Sequence, residues 1–168
     1  IDFQHRFQLY SRHDVIWGLG YRTIRDKFRN SFSVAFLPTQ KTSDLFSGFL
    51  QDEIAVVSNR LWLTVGAKLE SNDYTGSEVQ PSARLLWKIS RGHSRGTSVA
   101  MAVRTPSRAE DSGLIVLQVL PIPPFPDLAV YGNPGLQAEE LIAYEAGYRF
   151  TGSPSFSFDF ALFHNEYT

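Results

Sequence analysis

The sequence predicts an all-β chain, an antiparallel up-and-down meander of about eight long strands forming part of a transmembrane β-barrel. Three observations support this. Apolar residues recur with a period of two through most of the chain, the alternating segments are long, and short connections alternate with long ones. Length matters because globular strands average about 5–6 residues, whereas a tilted membrane strand needs about 9–11. The sorting of connections matters because a membrane barrel places short turns at one end and long loops at the other, while a soluble sandwich has no reason to do so.

The elements follow in order. Over 2–10, Phe3, Phe7 and Leu9 oppose Asp2, Gln4, Arg6 and Gln8, with His5 breaking the apolar row. Ser11-Arg12 forms a tight turn. Over 13–25, Val15, Trp17, Leu19 and Tyr21 oppose Asp14, Gly18, Gly20 and Arg22, with Ile16 out of phase. A long, mostly polar stretch then runs from Asp26 to Ser43, and Phe32, Val34 and Phe36 extend a strand into it. Residues 44–57 alternate more weakly (Phe46, Leu50, Ile54, Val56) and end at the turn Ser58-Asn59-Arg60. Over 61–71, Leu61, Leu63, Val65, Ala67 and Leu69 face away from Thr64, Gly66, Lys68 and Glu70. A medium loop, 71–78, carries Asn72, Asp73 and Gly76. Over 79–90, Ala83, Leu85, Trp87 and Ile89 oppose Ser82, Arg84, Lys88 and Ser90, and Arg91-Gly92-His93 turns the chain. Residues 94–104 are again weaker (Val99, Met101, Val103), and the longest loop follows, 105–136. Over 140–150, Ile142, Tyr144, Ala146, Tyr148 and Phe150 oppose Glu145, Gly147 and Arg149. Thr151-Gly152-Ser153-Pro154 closes a hairpin to the cleanest segment, Phe156, Phe158, Phe160 and Leu162 against Ser155, Ser157, Asp159 and Ala161.

Composition narrows the function. The 168 residues suit one domain, and 16 basic against 17 acidic side chains leave a net charge of -1, with no basic excess to mark a nucleic-acid partner. Without cysteine, disulfides, thiolate zinc sites and cysteine nucleophiles are excluded. The chain carries 13 Phe, 7 Tyr and 3 Trp yet has a slightly negative mean hydropathy, which fits a surface alternating between apolar and polar better than a soluble core. No window approaches the roughly 20 apolar residues of a membrane helix. His5, His13, His93 and His164 show no metal-ligand spacing, and the adjacent pairs Glu139-Glu140 and Glu110-Asp111 suit solvated loop ends better than an acid–base dyad. Neither a phosphate-binding glycine loop nor a nucleophile elbow is present. The expectation is a non-enzyme with no catalytic residues, no metal and no cofactor.

The alternation also assigns sides. Lys68, Glu70, Arg84, Lys88, Glu145 and Arg149 are expected to face an aqueous lumen, because an Arg or Lys turned to lipid costs about 2–4 kcal/mol at the midplane. Gly18, Gly20, Gly66 and Gly147 on that side either permit sheet curvature or leave room for something inside. Tyr10, Trp17, Tyr21, Trp87 and Tyr148 suit interfacial girdles, and Leu114–Pro126, apolar and rich in proline, is expected to fold over the barrel mouth. From these residues alone, a soluble β-sandwich binding module and a complete eight-stranded outer-membrane barrel remain alternatives.

Several segments resemble the barrel of TonB-dependent outer-membrane receptors. Phe49-Leu50-Gln51-Asp52-Glu53-Ile54 is similar to the family's aromatic followed by a Gln-Asp pair, and Val79-Gln80-Pro81-Ser82-Ala83-Arg84 to its Pro-x-x-Arg strand start. Arg104-Thr105-Pro106 resembles a strand exit, Gly132-Asn133-Pro134-Gly135-Leu136-Gln137-Ala138-Glu139 a strand opening, and Tyr144-Glu145-Ala146-Gly147-Tyr148 a strand core. Their order over 45–168 makes the match specific. Met101 and Gly135 depart from it, standing where a basic and an acidic residue are common. The resemblance implies a fragment of a barrel of about twenty-two strands, lacking the plug domain, the TonB box and the closing strand. The ends at Ile1 and Thr168 are accordingly expected to be cut ends. It further implies a Gram-negative outer membrane, contact with its lipid, and, through the full-length parent, a plug domain and TonB. Energy-coupled uptake of a scarce ligand such as a ferric siderophore or a cobalamin would follow, with Arg104 and Arg108 as candidate plug or ligand contacts.

Overall fold

The computed structural model describes residues 1–118, 128–153 and 156–168. In chain order these form β1 (Asp2–Leu9), β2 (His13–Lys27), β3 (Val34–Phe36), β4 (Gln40–Val57), β5 (Leu61–Asn72), β6 (Gly76–Ser90) and β7 (His93–Arg104). A short helix α1 (Arg108–Ser112) follows, then β8 (Gly113–Gln118), β9 (Leu128–Tyr131), β10 (Glu139–Ser153) and β11 (Phe156–Tyr167). Eight strands hydrogen-bond in the order β1-β2-β4-β5-β6-β7-β10-β11, each pair antiparallel, and β3-β8-β9 form a second sheet. Every strand expected from the alternation is present in the large sheet. Seven of its eight strands have 12 residues or more and, at about 3.3 Å per residue and tilted by about 40°, rise at least roughly 30 Å, enough for a bilayer, whereas the edge strand β1 has 8.

The connections after β1, β4, β6 and β10 are short and lie at one end, the inner end here. Register shifts between Ala55 and Val57, Lys88 and Ser90, and Thr151 and Ser153 put a bulge beside three of these turns, which twists the hairpins as they close. Tyr10 (φ 58°) and Asn59 (φ 59°) take left-handed backbone in two of them. Gly92 (φ 83°) is tied to β10, because Thr151 donates its N–H to the Gly92 carbonyl and a Cβ on Gly92 would lie 2.4 Å from the Thr151 oxygen.

At the outer end the expected medium loop 71–78 is corrected to a three-residue connection, Asp73 to Thr75. The Asn72 Oδ1 accepts the backbone N–H groups of Tyr74 and Thr75, each at 2.9 Å, and Gly76 at φ 83° re-enters the ladder. The Asn, Asp and Gly that suggested a loop are the residues that make a tight turn. The strand suggested by Phe32, Val34 and Phe36 is real but short, and it joins the small sheet instead of prolonging the wall. Of the apolar segment Leu114–Pro126, the first residues form β8, while Val119, Leu120 and the four prolines lie outside the described residues.

The large sheet is a single layer. Among the described residues only Val15, Gly18, Pro106 and Gly113 are buried, and Phe156, Phe158 and Phe160 are 59%, 50% and 49% exposed. A soluble sandwich would seal such residues between facing sheets. Nor is the sheet a closed eight-stranded barrel, for β1 and β11 are its two edges.

Candidate functional site

Directly paired residues of an antiparallel ladder share a face, so the register assigns sides across the whole sheet. One transverse row reads Gln8, Asp14, Glu53, Thr64, Arg84, Ser98, Glu145 and Phe163. The row beside it, on the opposite face, reads Phe7, Val15, Asp52, Val65, Ala83, Val99, Tyr144 and His164. Lys68, Glu70, Arg84, Lys88, Glu145 and Arg149 all fall on the first, polar face, and Arg104 joins them at its outer end.

Charges on the polar face pair locally. Arg6 Nε lies 2.8 Å from Asp14, Lys68 Nζ 2.6 Å from Glu70, and Arg149 Nε 2.6 Å from Asp159. The Ser98 hydroxyl donates to Glu145 at 3.2 Å, and the Lys88 ammonium sits 4.7 Å over the Trp62 ring. Exposed pairs of this kind are worth about 0–1 kcal/mol each, so they do not hold the sheet together. What they require is water on that side.

On the apolar face several polar side chains find partners within the face. His13 Nδ1 lies 2.6 Å from Asp52, the Tyr21 hydroxyl donates to Asp44 at 2.9 Å, and His93 Nδ1 lies 2.7 Å from the Tyr148 hydroxyl. Trp17 packs on Phe3 with ring centroids 5.3 Å apart, Trp87 and Tyr148 stand toward the inner end, and Tyr10 sits in the first turn. Gly18 is filled rather than open. The Phe49 ring, across from it in register, would meet a Cβ there at 2.5 Å, whereas a Cβ on Gly147 would meet nothing closer than 3.6 Å.

The described part of the outer rim is built from the connection 28–39 and, of the connection after β7, residues 105–118 and 128–138. Val34, Ala35 and Phe36 pair with Ile115, Leu114 and Gly113, joining the connections into the small sheet, and β9 extends it. Arg104 lies between two carboxylates, donating to Glu139 at 2.8 and 2.9 Å and to Glu110 at 3.0 and 3.2 Å. Glu110 also closes a capping box with Ser107 at the start of α1. Arg104, with the Ser107 backbone and hydroxyl, holds the Glu110 carboxyl down at about 2. Arg108 stands apart from the polar face. Its Nε lies 3.3 Å from Asp26, and its guanidinium donates to the Pro38 carbonyl and the Ser112 hydroxyl and lies 5.9 Å over the Phe36 ring. Lys41 bonds Asp111 at 3.0 Å and covers the Tyr74 ring at 4.0 Å, which brings in the third outer connection.

Lys41 and Asp26 carry no signal in the sequence, and the expectation that Glu110-Asp111 is a solvated loop end is corrected for Asp111, which is 15% exposed and paired with Lys41 and Arg108, while Glu110 pairs with Arg104. Ser107-x-x-Glu110 was a readable capping signal, but nothing local points Asp26 or Lys41 at residues 70 or more positions away. Among the described residues no group of three or more His, Cys, Asp or Glu is placed to hold a metal ion.

One face tolerates charge, the other presents apolar side chains, no core lies between layers among the described residues, and the structured connections lie at one end, opposite the tight turns after β1, β4 and β6. Together these define a segment of a membrane β-barrel wall. The chain belongs to the family described as TonB dependent receptor-like, beta-barrel, which matches residues 1–168. Among solved structures it is similar to the siderophore receptor PirA from Pseudomonas aeruginosa, with a TM-score of 0.80 and 18% identity over 99% of this chain and 31% of that one. It is also similar to PirA from Acinetobacter baumannii, with a TM-score of 0.78 and 17% identity over 99% of this chain and 26% of that one. The ferric enterobactin receptor PfeA from Pseudomonas aeruginosa gives a TM-score of 0.78, 17% identity and the same two coverages, 99% and 26%. The chain thus spans less than a third of the length of these receptors, and at such identities the likeness is one of fold. No protein of the curated set matches.

Proposed function

We propose that this chain forms part of the wall and outer rim of an outer-membrane receptor of a Gram-negative bacterium. The receptor captures a ferric siderophore and admits it with energy delivered through a plug domain and TonB. The observation that carries this reading is the two-sided sheet, in register across eight strands, in a chain that matches the barrel family from end to end. On this reading the apolar face meets lipid. The polar face lines the bore, where Lys68, Glu70, Arg84, Lys88, Glu145 and Arg149 meet water or the plug. Arg104, half exposed at the outer end of that face, is held by Glu110 and Glu139 and would meet the plug or a ligand only by exchanging one of those carboxylates. Arg108 is more enclosed, and its part is to hold the rim. No step of bond making or breaking is assigned to the chain. The siderophore is favoured over a cobalamin because the solved barrels it resembles carry that function.

The test is growth under iron limitation. The whole receptor containing this segment, expressed in a strain stripped of its own siderophore receptors, should restore growth on ferric enterobactin or a related ferric catecholate only when TonB is present. Restoration without TonB, or of cobalamin use alone, would refute the proposal.

A further inference from the structure

The two long outer connections meet through very little backbone. Three residue pairs link β3 to β8, supplemented by the Val116 N–H to the Ser33 carbonyl at 2.9 Å and the Leu37 N–H to the Ser112 carbonyl at 3.1 Å. Even a complete isolated hairpin is marginal in water, and here the partners are some eighty residues apart in sequence, so loop closure opposes their meeting more strongly. Side chains must supply the rest.

The side chains that do so are the charged cluster beneath the small sheet. Arg108 is 11% exposed, Asp111 15%, Asp26 21% and Lys41 22%, whereas Arg104 is 54% exposed. Two cations face two carboxylates, so the cluster is neutral as a set, but its members come from different places. Asp26 lies at the outer end of β2, Lys41 at the start of β4, and Asp111 with Arg108 in α1. Arg108 reaches both sides of the gap. It meets Asp26 at the end of β2 and the Pro38 carbonyl of the connection that follows, and, on its own side, Asp111 and the Ser112 hydroxyl. Partly desolvated charges interact more strongly than surface ones, and removal of one partner strands the other. Phe36, stacked on Phe28 at 4.0 Å, covers the guanidinium.

We propose that Arg108 is a positioning residue that clips the outer connection 28–39 and residues 105–118 into a single body, acting on a bound ligand through the shape of the rim and not by touching it. The ligand half of this statement rests on the function proposed above, and the clip itself does not.

The test uses the whole receptor in outer membranes. Val34 and Ile115 occupy a non-hydrogen-bonded position between the bonded pairs Ser33/Val116 and Ala35/Leu114, where side chains approach closely, and both are exposed. This chain contributes no other cysteine. V34C/I115C should oxidise readily to a disulfide, and adding Arg108→Ala should slow that reaction several-fold, with Arg108→Lys intermediate. Absence of the cross-link in the otherwise native rim, or a rate indifferent to Arg108→Ala, overturns the clip. With ferric enterobactin as probe, Arg108→Ala should weaken binding, and closing the V34C–I115C disulfide should restore it. Binding that stays weak with the disulfide closed means that Arg108 touches the ligand, which overturns the positioning role. A receptor that binds no ferric enterobactin refutes the ligand reading and leaves the cross-link to decide the clip.

Discussion

The wall and the rim of this molecule are held by different physics. In the wall, ladders of up to fifteen residue pairs repeat one binary rule, polar to one side and apolar to the other, and particular partners matter little. In the rim, three backbone pairs join segments far apart in sequence, and named charges complete the contact. A wall of this kind is specified by the two solvents it separates, a rim by its individual side chains.

The largest effect should come from breaking the binary rule at adjacent positions. Ser98 and Val99 stand side by side in the middle of β7 on opposite faces. Val99→Arg should destabilise the receptor in lipid vesicles by about 2–4 kcal/mol, the cost of a basic side chain near the midplane. Ser98→Arg should stay within about 0.5 kcal/mol, as surface changes do. Reversible unfolding of the two variants in the same vesicles measures both, and equal losses would mean that the sheet has no lipid side.

Within the wall, the glycines are not equivalent. A Cβ on Gly18 would lie 2.5 Å from the Phe49 ring and 2.6 Å from the Phe3 carbonyl oxygen, and the second of these cannot yield without moving the backbone. Gly18→Ala should therefore destabilise by about 1–3 kcal/mol, an overpacking effect. Gly147→Ala, with its nearest neighbour at 3.6 Å, should be neutral or stabilise by about 0.5–1 kcal/mol through the lost flexibility of glycine. Thermal unfolding of the pair decides this, and a tolerant Gly18 would show that the β1 backbone at Phe3 gives way as well as the ring.

The same contrast explains what could be read from the sequence. All eight wall strands were legible, because alternation is local and one period fixes both the element and its side. Sides were legible for the same reason, and all six charged residues expected on one face share it. The rim was not. Phe32, Val34 and Phe36 mark a strand but not its partner, Gly113–Ile115 look like loop residues until the two are brought together, and β9 follows a stretch whose prolines suggest only a loop. Asn72, Asp73 and Gly76 carried true turn chemistry, but the same residues serve tight turns and longer loops, and ladder length decides between them. Phe49 was noticed as a motif aromatic, whereas its seat on Gly18 depends on register between strands, which composition does not record.

The smallest effect tests the rim's other arginine. Glu110 ordinarily titrates near 4.5 but is held at about 2 by Arg104 together with the Ser107 N–H and hydroxyl. Because its folded value is depressed, the support it gives the capping box is fully present above about 4.5 and is lost as the pH falls through about 2. Carboxyl resonances of the receptor in detergent should place the Glu110 midpoint near 2, and Arg104→Ala should raise it without restoring 4.5, since the Ser107 donors remain. A Glu110 that titrates normally in the native rim would mean that Arg104 is free for another partner, such as the plug or a ligand. The rim would then rest on Arg108, Lys41 and the short β3–β8 pairing, a far looser structure than the wall beneath it.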